Sequence, residues 1–278
     1  MKNENQSIKK TVWQSIPAMF ILMIGANAFQ SCSNSNAQED GHLSCNPGSS
    51  ISLADHGSEQ QLSVEEMIDL LPTEFKNLTD DQKSISLSIY HLMKSGNPVR
   101  FADLAAYTDI DQNEVEATVK NWPGVFIDDQ NQIIGYWGLS VKNFGHKIIV
   151  GKQPLYAWCA WDALFLPQVL GEETKVITED ANSGEKLELV IDKNGNLLSY
   201  PEGMTMSLLL PDSEKTNEEI CKDVVSNFCH FILFFKDEAS GQDFVSKNPQ
   251  TVLLSMEKAI ELSKYKNKLQ YGDLLNKL

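Results

Sequence analysis

The 278-residue sequence is short of positive charge, and this shortage excludes a broad class of function. It contains 23 Lys and Arg residues against 38 Asp and Glu residues, which gives a formal net charge of −15. Proteins that bind nucleic acid neutralise phosphates with a basic surface. We therefore expect no nucleic-acid partner. The 42% of hydrophobic residues also excludes a largely disordered chain.

Several signatures of catalysis and metal binding are missing as well. The sequence has no CxxC or HExxH zinc pattern, no glycine-rich phosphate loop and no G-x-S-x-G nucleophile elbow. It has no internal repeats. Its five cysteines are too few for a disulfide scaffold but sufficient for a reactive thiol site. We expect no resident cofactor.

The N-terminus lacks an apolar run long enough to span a bilayer, which takes ~20 residues in a helix. A basic start with Lys2, Lys9 and Lys10 precedes the apolar stretch from Ile16 to Gly25, and small or polar residues follow. This layout is typical of a secretory signal. The alternative is a buried N-terminal helix.

Two processing sites compete within this segment. Ala26-Asn27-Ala28 fits ordinary secretion, in which case the mature chain begins at Phe29 and Cys32 is not lipidated. Phe29-Gln30-Ser31-Cys32 instead resembles the lipobox of bacterial lipoproteins, in which Cys32 is lipidated. The stretch from Ser33 to Gly57 is rich in Ser, Asn and Gly and suits a flexible tether. We favour an exported lipoprotein that is anchored in a membrane and faces the periplasm or the cell exterior.

These patterns predict four parts: a signal at 1–31, a tether at 32–61, and two folded units at 62–139 and 140–278. In the first unit, apolar periodicity and cap residues predict three helices and then a hairpin. The helices begin at Thr79 or Asp80, at about Arg100 and at about Gln112, and the hairpin pairs 125–127 with 133–136. This order is typical of a winged helix. Nine acids against four bases between Asp80 and Ser140 favour a structural module rather than a DNA-binding one.

The second unit alternates short apolar runs with turn residues. Strands are predicted at 148–150, 175–178, 187–192, 207–210 and 231–235, with helices at 157–169 and 255–271. The predicted fold class is therefore α+β, with an N-terminal winged-helix-like three-helix module followed by a mixed or antiparallel sheet domain with flanking helices.

Two cysteine segments are candidates for chemistry. In Trp158-Cys159-Ala160-Trp161-Asp162, the thiol and the carboxyl group are three residues apart and would share one face of a helix. Phe228-Cys229-His230-Phe231 precedes an apolar run. Spacing alone also fits buried core cysteines and a helix-capping aspartate. Cys221 is interpreted as a surface thiol.

The segment LYAWCAWDAL at 155–164, followed by Pro167, resembles the hallmark motif of the organomercurial (alkylmercury) lyases. Segments 201–211 and 226–235 are similar to two further segments of that family in order and approximate spacing. The resemblance extends from about Asp80 to Leu275.

This resemblance implies that Cys159 and Cys229 are catalytic cysteines and that Asp162 is the catalytic aspartate. The same three residues would hold the Hg(II) product. The implied reaction is protonolytic cleavage of a carbon–mercury bond, which gives Hg(II) and a hydrocarbon. Thiolates suit mercury because it is a soft ion, and Asp162 would shuttle the proton.

The implied partners are an organomercurial substrate, external thiols or another mercury acceptor, and a membrane through the lipid anchor. The family is usually cytosolic and passes mercury to mercuric reductase, so an exported member needs a different acceptor. The main alternative is a non-catalytic lipoprotein that binds or carries Hg or Cu, because a copper-binding lipoprotein family shares the fold. A Cys159–Cys229 disulfide and a transcriptional regulator are weaker alternatives.

Overall fold

A computed structural model describes residues 62–71, 78–211 and 223–277. The predicted signal and tether, including Cys32 and Cys45, lie outside these residues, and so does Cys221. Within the described ranges, no helix combines the length and the apolar character needed to cross a membrane.

The described elements are helices and antiparallel strands. The helices are α1 (Val64–Leu70), α2 (Asp80–Met93), α3 (Phe101–Thr108), α4 (Gln112–Lys120), α5 (Ala160–Leu170), α6 (Val224–Asn227), α7 (Glu238–Lys247) and α8 (Met256–Tyr271). The strands are β1 (Val99–Arg100), β2 (Val125–Ile127), β3 (Gln132–Tyr136), β4 (Leu139–Ser140), β5 (His146–Val150), β6 (Gln153–Ala157), β7 (Thr174–Glu179), β8 (Lys186–Ile191), β9 (Leu197–Ser199), β10 (Thr205–Leu209), β11 (Phe234–Phe235) and β12 (Thr251–Ser255). The α+β class is confirmed.

Two antiparallel sheets organise these strands. The larger sheet has the order β1-β3-β4-β6-β5-β7-β8-β9, with β2 paired to β3, and the smaller has the order β11-β10-β12. Strand β4 pairs with β3 on one side and with β6 on the other. The larger sheet therefore contains strands from both predicted units, and the division at 139/140 stays a prediction.

Helix α5 is the centre of the core. Its sequence is apolar on almost every side, and every residue except Gln168 is buried. A helix of this kind is stable only when it is enclosed. It packs against β5, β6 and β10 and lies along α8. The N-terminus of α5 is therefore buried and shielded from solvent.

The first three predicted helices and the hairpin are confirmed as α2, α3, α4 and β2–β3. Local capping explains this success. Thr79 Oγ1 accepts a hydrogen bond from the Gln82 backbone N–H, and the Gln82 side chain accepts one from the Thr79 N–H. Asp111 caps α4 in a similar way, through the N–H groups of Asn113 and Glu114.

The predicted strand at 231–235 is wrong over most of its length. Cys229–Phe231 forms a 3₁₀ turn, and only Phe234–Phe235 is a strand. Several backbone N–H and C=O groups of 231–235 form hydrogen bonds with Ser207 and Ala160 instead of continuing a strand ladder. The Ser207 hydroxyl donates to the Phe231 carbonyl and accepts from the Leu233 N–H. The Ala160 N–H, at the start of α5, donates to the Ile232 carbonyl. These bonds turn the chain toward the N-terminus of α5.

Candidate active site

Cys159 lies where strand β6 ends and helix α5 begins. It is the N-cap residue of α5, with an extended backbone, so it lies just outside the helix that was predicted to contain it. Asp162 occupies the third position of the helix. Its Oδ2 accepts a hydrogen bond of 3.0 Å from the Cys159 N–H, as in a capping interaction. This bond fixes the carboxyl group beside the thiol.

Cys229 reaches the same point from a distant part of the sequence. The hydrogen bond from Ala160 to the Ile232 carbonyl is 3.1 Å long and holds the 3₁₀ turn against the start of α5. Cys229 Sγ lies 3.9 Å from Asp162 Oδ2. The ligand atoms of Cys159, Asp162 and Cys229 all lie within 4.8 Å of one another. Both cysteines are free thiols, unlike in the disulfide alternative.

The three side chains are withdrawn from solvent. Cys159, Cys229 and Asp162 are 1%, 6% and 8% exposed. Burial raises the pKa of Asp162 to about 6, although contacts with Cys159 and a nearby lysine, Lys266, oppose the rise. Burial also raises the pKa of Cys159 well above its usual value, with further contributions from Cys229 and Asp162. For Cys229, contact with Cys159 lowers the pKa, but burial and Asp162 outweigh that effect, so the net shift is upward.

A tight turn between β3 and β4 covers the other oxygen of Asp162. Gly138 in this turn has φ +88°, and a Cβ at this position would lie 2.5 Å from Asp162 Oδ1. The Gly138 carbonyl accepts a 3.0 Å hydrogen bond from the Trp158 N–H. The Tyr90 hydroxyl donates to the Trp137 carbonyl at 2.8 Å. Only glycine allows the turn to approach the carboxylate so closely.

Lys266 is a second site residue that sequence reasoning missed. It lies on α8 and is 1% exposed. Its Nζ is 3.6 Å from the centre of the Phe165 ring on α5. Burial lowers its pKa to about 7, while Asp162 acts in the opposite direction. A signal was present in the sequence, because Lys266 follows Ala259 and Ser263 at helical spacing on the buried face of α8.

A cavity of about 1000 Å³ leads to the thiols. Of the three clustered residues, only Cys229 lines it, together with Trp158, His146 and His230. The Trp158 indole forms an edge-to-face contact with Phe126, with 4.9 Å between ring centroids. The cavity therefore has an aromatic wall and a polar wall, and it opens onto Cys229.

His146 contributes a neutral imidazole to this wall. Its Nδ1 lies 2.6 Å from Thr178 Oγ1, and its ring packs edge-on against Phe234. Burial lowers the pKa of His146 to about 4. His230 is exposed.

Comparison with known proteins gives one consistent family. Residues 139–266 match the family model described as alkylmercury lyase (MerB). The chain is 28% identical over 174 residues to an alkylmercury lyase of Staphylococcus epidermidis, covering 63% of this chain and 77% of that protein. It is 25% identical over 185 residues to an alkylmercury lyase of Bacillus cereus, covering 66% and 81%.

A solved structure supports the fold. The mercury-bound form of MerB2 superposes with a TM-score of 0.56 at 21% identity, covering 74% of this chain and 96% of that one. The matched family model includes Cys159, Asp162 and the 3₁₀ turn that carries Cys229. Residues 139–266 thus carry the pattern of the alkylmercury lyase family of enzymes, the family to which both relatives belong.

Proposed function

We propose that this protein cleaves the carbon–mercury bond of organomercurials by protonolysis, with Cys159, Cys229 and Asp162 as the catalytic residues. The observation that carries the proposal is the cluster itself. Two free thiols and one carboxyl group lie within 4.8 Å of one another in a buried site. Two soft ligands suit mercury, and a carboxyl group beside them suits proton transfer.

The substrate arrives as R–Hg–X, where R is the organic group and X is a ligand such as a solution thiolate. Cys229 borders the cavity, so its sulfur binds mercury first, and X leaves with the Cys229 proton. Cys159 then adds its sulfur and gives its proton to Asp162. The second sulfur raises the electron density on the carbon bound to mercury.

Cleavage follows when Asp162 passes that proton to the carbon. The electron pair of the carbon–mercury bond forms the new C–H bond, and R–H leaves. Hg(II) remains bound by the two sulfurs, with Asp162 beside them. External thiols or another mercury acceptor then remove the Hg(II). The aromatic wall around Trp158 and the burial of the cluster limit water access during these steps.

We also propose a role for the N-terminal module, a cellular location and the absence of a resident cofactor. Residues 62–139 act as a winged-helix-like structural module, without nucleic-acid binding, because the segment from Asp80 to Ser140 is acidic. The chain is exported and anchored through Cys32. No resident cofactor is needed, because both thiols and the proton carrier belong to the chain.

The experiment incubates the full-length protein with an organomercurial and excess thiol, and measures hydrocarbon release. Wild type should turn over and carry only inorganic mercury. Asp162→Ala keeps both thiols, so mass spectrometry should find R–Hg still bound to it, with cleavage slowed about 10²-fold or more. Replacement of the exposed Asp243 by alanine is the matched control and should cleave normally. Intact R–Hg on wild type after long incubation would refute the enzyme and favour a soft-metal carrier.

A further inference from the structure

The core contains one buried lysine for which the reaction above has no role. Among the residues that the structure describes, the buried charged side chains are Asp162, Asp180 and Lys266. Asp180 belongs to a surface turn, where it accepts hydrogen bonds from the backbone N–H groups of Ser183 and Lys236. Asp162 and Lys266 are therefore the acidic and the basic side chain that lie inside the core.

Lys266 is held at a fixed place beside helix α5. Its Nζ lies over the Phe165 ring at 3.6 Å and lies 3.3 Å from Asn267 Oδ1. Asn267 in turn donates from Nδ2 to the Phe165 carbonyl at 3.0 Å and to Gln168 Oε1 at 2.9 Å. These bonds attach α8 to the second turn of α5 and set the position of the ammonium group.

Phe165, which the ammonium group contacts, lies about one helical turn from the catalytic carboxyl group. Phe165 follows Asp162 by three residues, so their side chains share one face of α5 and are separated by ~4.5 Å of helix rise. The two charges also influence each other: Asp162 raises the pKa of Lys266, and Lys266 lowers the pKa of Asp162. A charge at this range acts strongly because the surroundings are dry.

We propose that Lys266 is a positioning residue for the cleavage step, whose buried ammonium group stabilises the negative charge that returns to Asp162 as its proton passes to carbon. The inference rests on the proposed function. Before the step, Asp162 is neutral and holds the proton. Afterwards R–H has left, Asp162 is a carboxylate, and Hg(II) keeps both thiolates. Below its pKa of about 7, Lys266 keeps its charge throughout the step, so it stabilises the transition state more than the bound substrate.

The test compares Lys266→Met with Lys268→Met in the full-length protein. Methionine keeps an unbranched apolar chain beside Phe165 but carries no charge. Lys268 lies on the same helix and is exposed, so its replacement controls for loss of a lysine from α8. Lys266→Met should bind phenylmercury with unchanged KM and accumulate the R–Hg adduct, while kcat falls about 10-fold to 100-fold. Lys268→Met should match wild type in both constants.

Thermal unfolding distinguishes this role from a structural one. Lys266→Met should still unfold cooperatively, because Asp162, whose pKa burial already raises to about 6, can take up a proton when the neighbouring charge is removed and is then not left as an unpaired buried ion. A second variant, Lys266→Gln, keeps a polar group near Asn267 and should slow cleavage equally.

Two results would overturn the proposal. One is a kcat of Lys266→Met and Lys266→Gln equal to that of Lys268→Met. The other is loss of the folded state in both variants, which would make Lys266 a structural residue. Failure of wild type to release hydrocarbon is a different result, and it refutes the proposed function itself.

Discussion

Replacement of Gly138 by alanine should slow the enzyme by displacing the Asp162 carboxyl group, without a change in any catalytic residue. An added Cβ would lie 2.5 Å from Asp162 Oδ1, whereas ordinary van der Waals contact begins at 3.4 Å. The carboxyl group or the turn must therefore move by about 0.9 Å. A displacement of ~1 Å in a catalytic group can lower the rate about 10²-fold. The positive φ adds backbone strain of roughly 1–2 kcal/mol for a residue with a side chain.

Gly151→Ala separates these two effects. Gly151 has φ +60°, but no atom lies within 4 Å of its added Cβ, so this variant carries the backbone strain alone. Urea unfolding should show a loss of ~1–2 kcal/mol for Gly151→Ala and a larger loss for Gly138→Ala, which also carries the close contact with Asp162. Hydrocarbon release under excess thiol should fall about 10²-fold for Gly138→Ala only. Equal rates in the two variants would refute the role of the turn in placing Asp162.

Three further predictions concern other parts of the chain. Because burial lowers the pKa of His146 to about 4 from 6.5, the unfolded chain takes up a proton first, so stability should fall as the pH drops from 6.5 through 4. In urea unfolding at pH 7.5 and pH 4, His146→Phe should reduce this acid loss by up to ~3 kcal/mol, and an unchanged loss would assign it to other groups. Cys32→Ser should abolish lipid labelling in cells, and persistent labelling or a mature N-terminus at Phe29 would contradict the lipobox. Cys45→Ser and Cys221→Ser should cleave organomercurials at near wild-type rates, whereas a loss as large as that of Cys159→Ser would mean that the thiols are wrongly paired.

Parts of the fold with local causes were predictable from the sequence. Helices α2 and α4 begin where Thr79 and Asp111 cap them, and these signals need no knowledge of distant residues. Strand β6 was missed, since it contains Pro154, which usually argues against a strand inside a sheet. The structure tolerates Pro154, which has no N–H to donate, because β4 pairs with β6 only at Tyr156 and Ala157. At Pro154 the strand has β5 as its partner on one side.

The active site was predictable only in part, because its geometry depends on contacts between distant segments. Spacing could relate Cys159 to Asp162, which are three residues apart, but nothing in the spacing relates either to Cys229, which lies 67 residues beyond Asp162. Family resemblance supplied that relation. Gly138 and Lys266 lay outside the quoted motifs. Their roles follow from the close approach of the β3–β4 turn and of helix α8 to α5.

The raised pKa of both thiols is unfavourable for a nucleophile that must ionise unaided, yet it fits a site for mercury. A protonated thiol is the less costly form in a dry pocket, and binding of a soft metal ion displaces the proton at the moment it is needed. The proton displaced from Cys159 can move to the carboxyl group of Asp162, which accepts a hydrogen bond from the Cys159 N–H and whose pKa of about 6 allows it to hold a proton briefly and release it. A solvent-exposed aspartate, with a pKa near 3.9, would lose that proton to water. The burial that weakens each thiol as a free nucleophile thus keeps the proton inside the site until carbon can accept it.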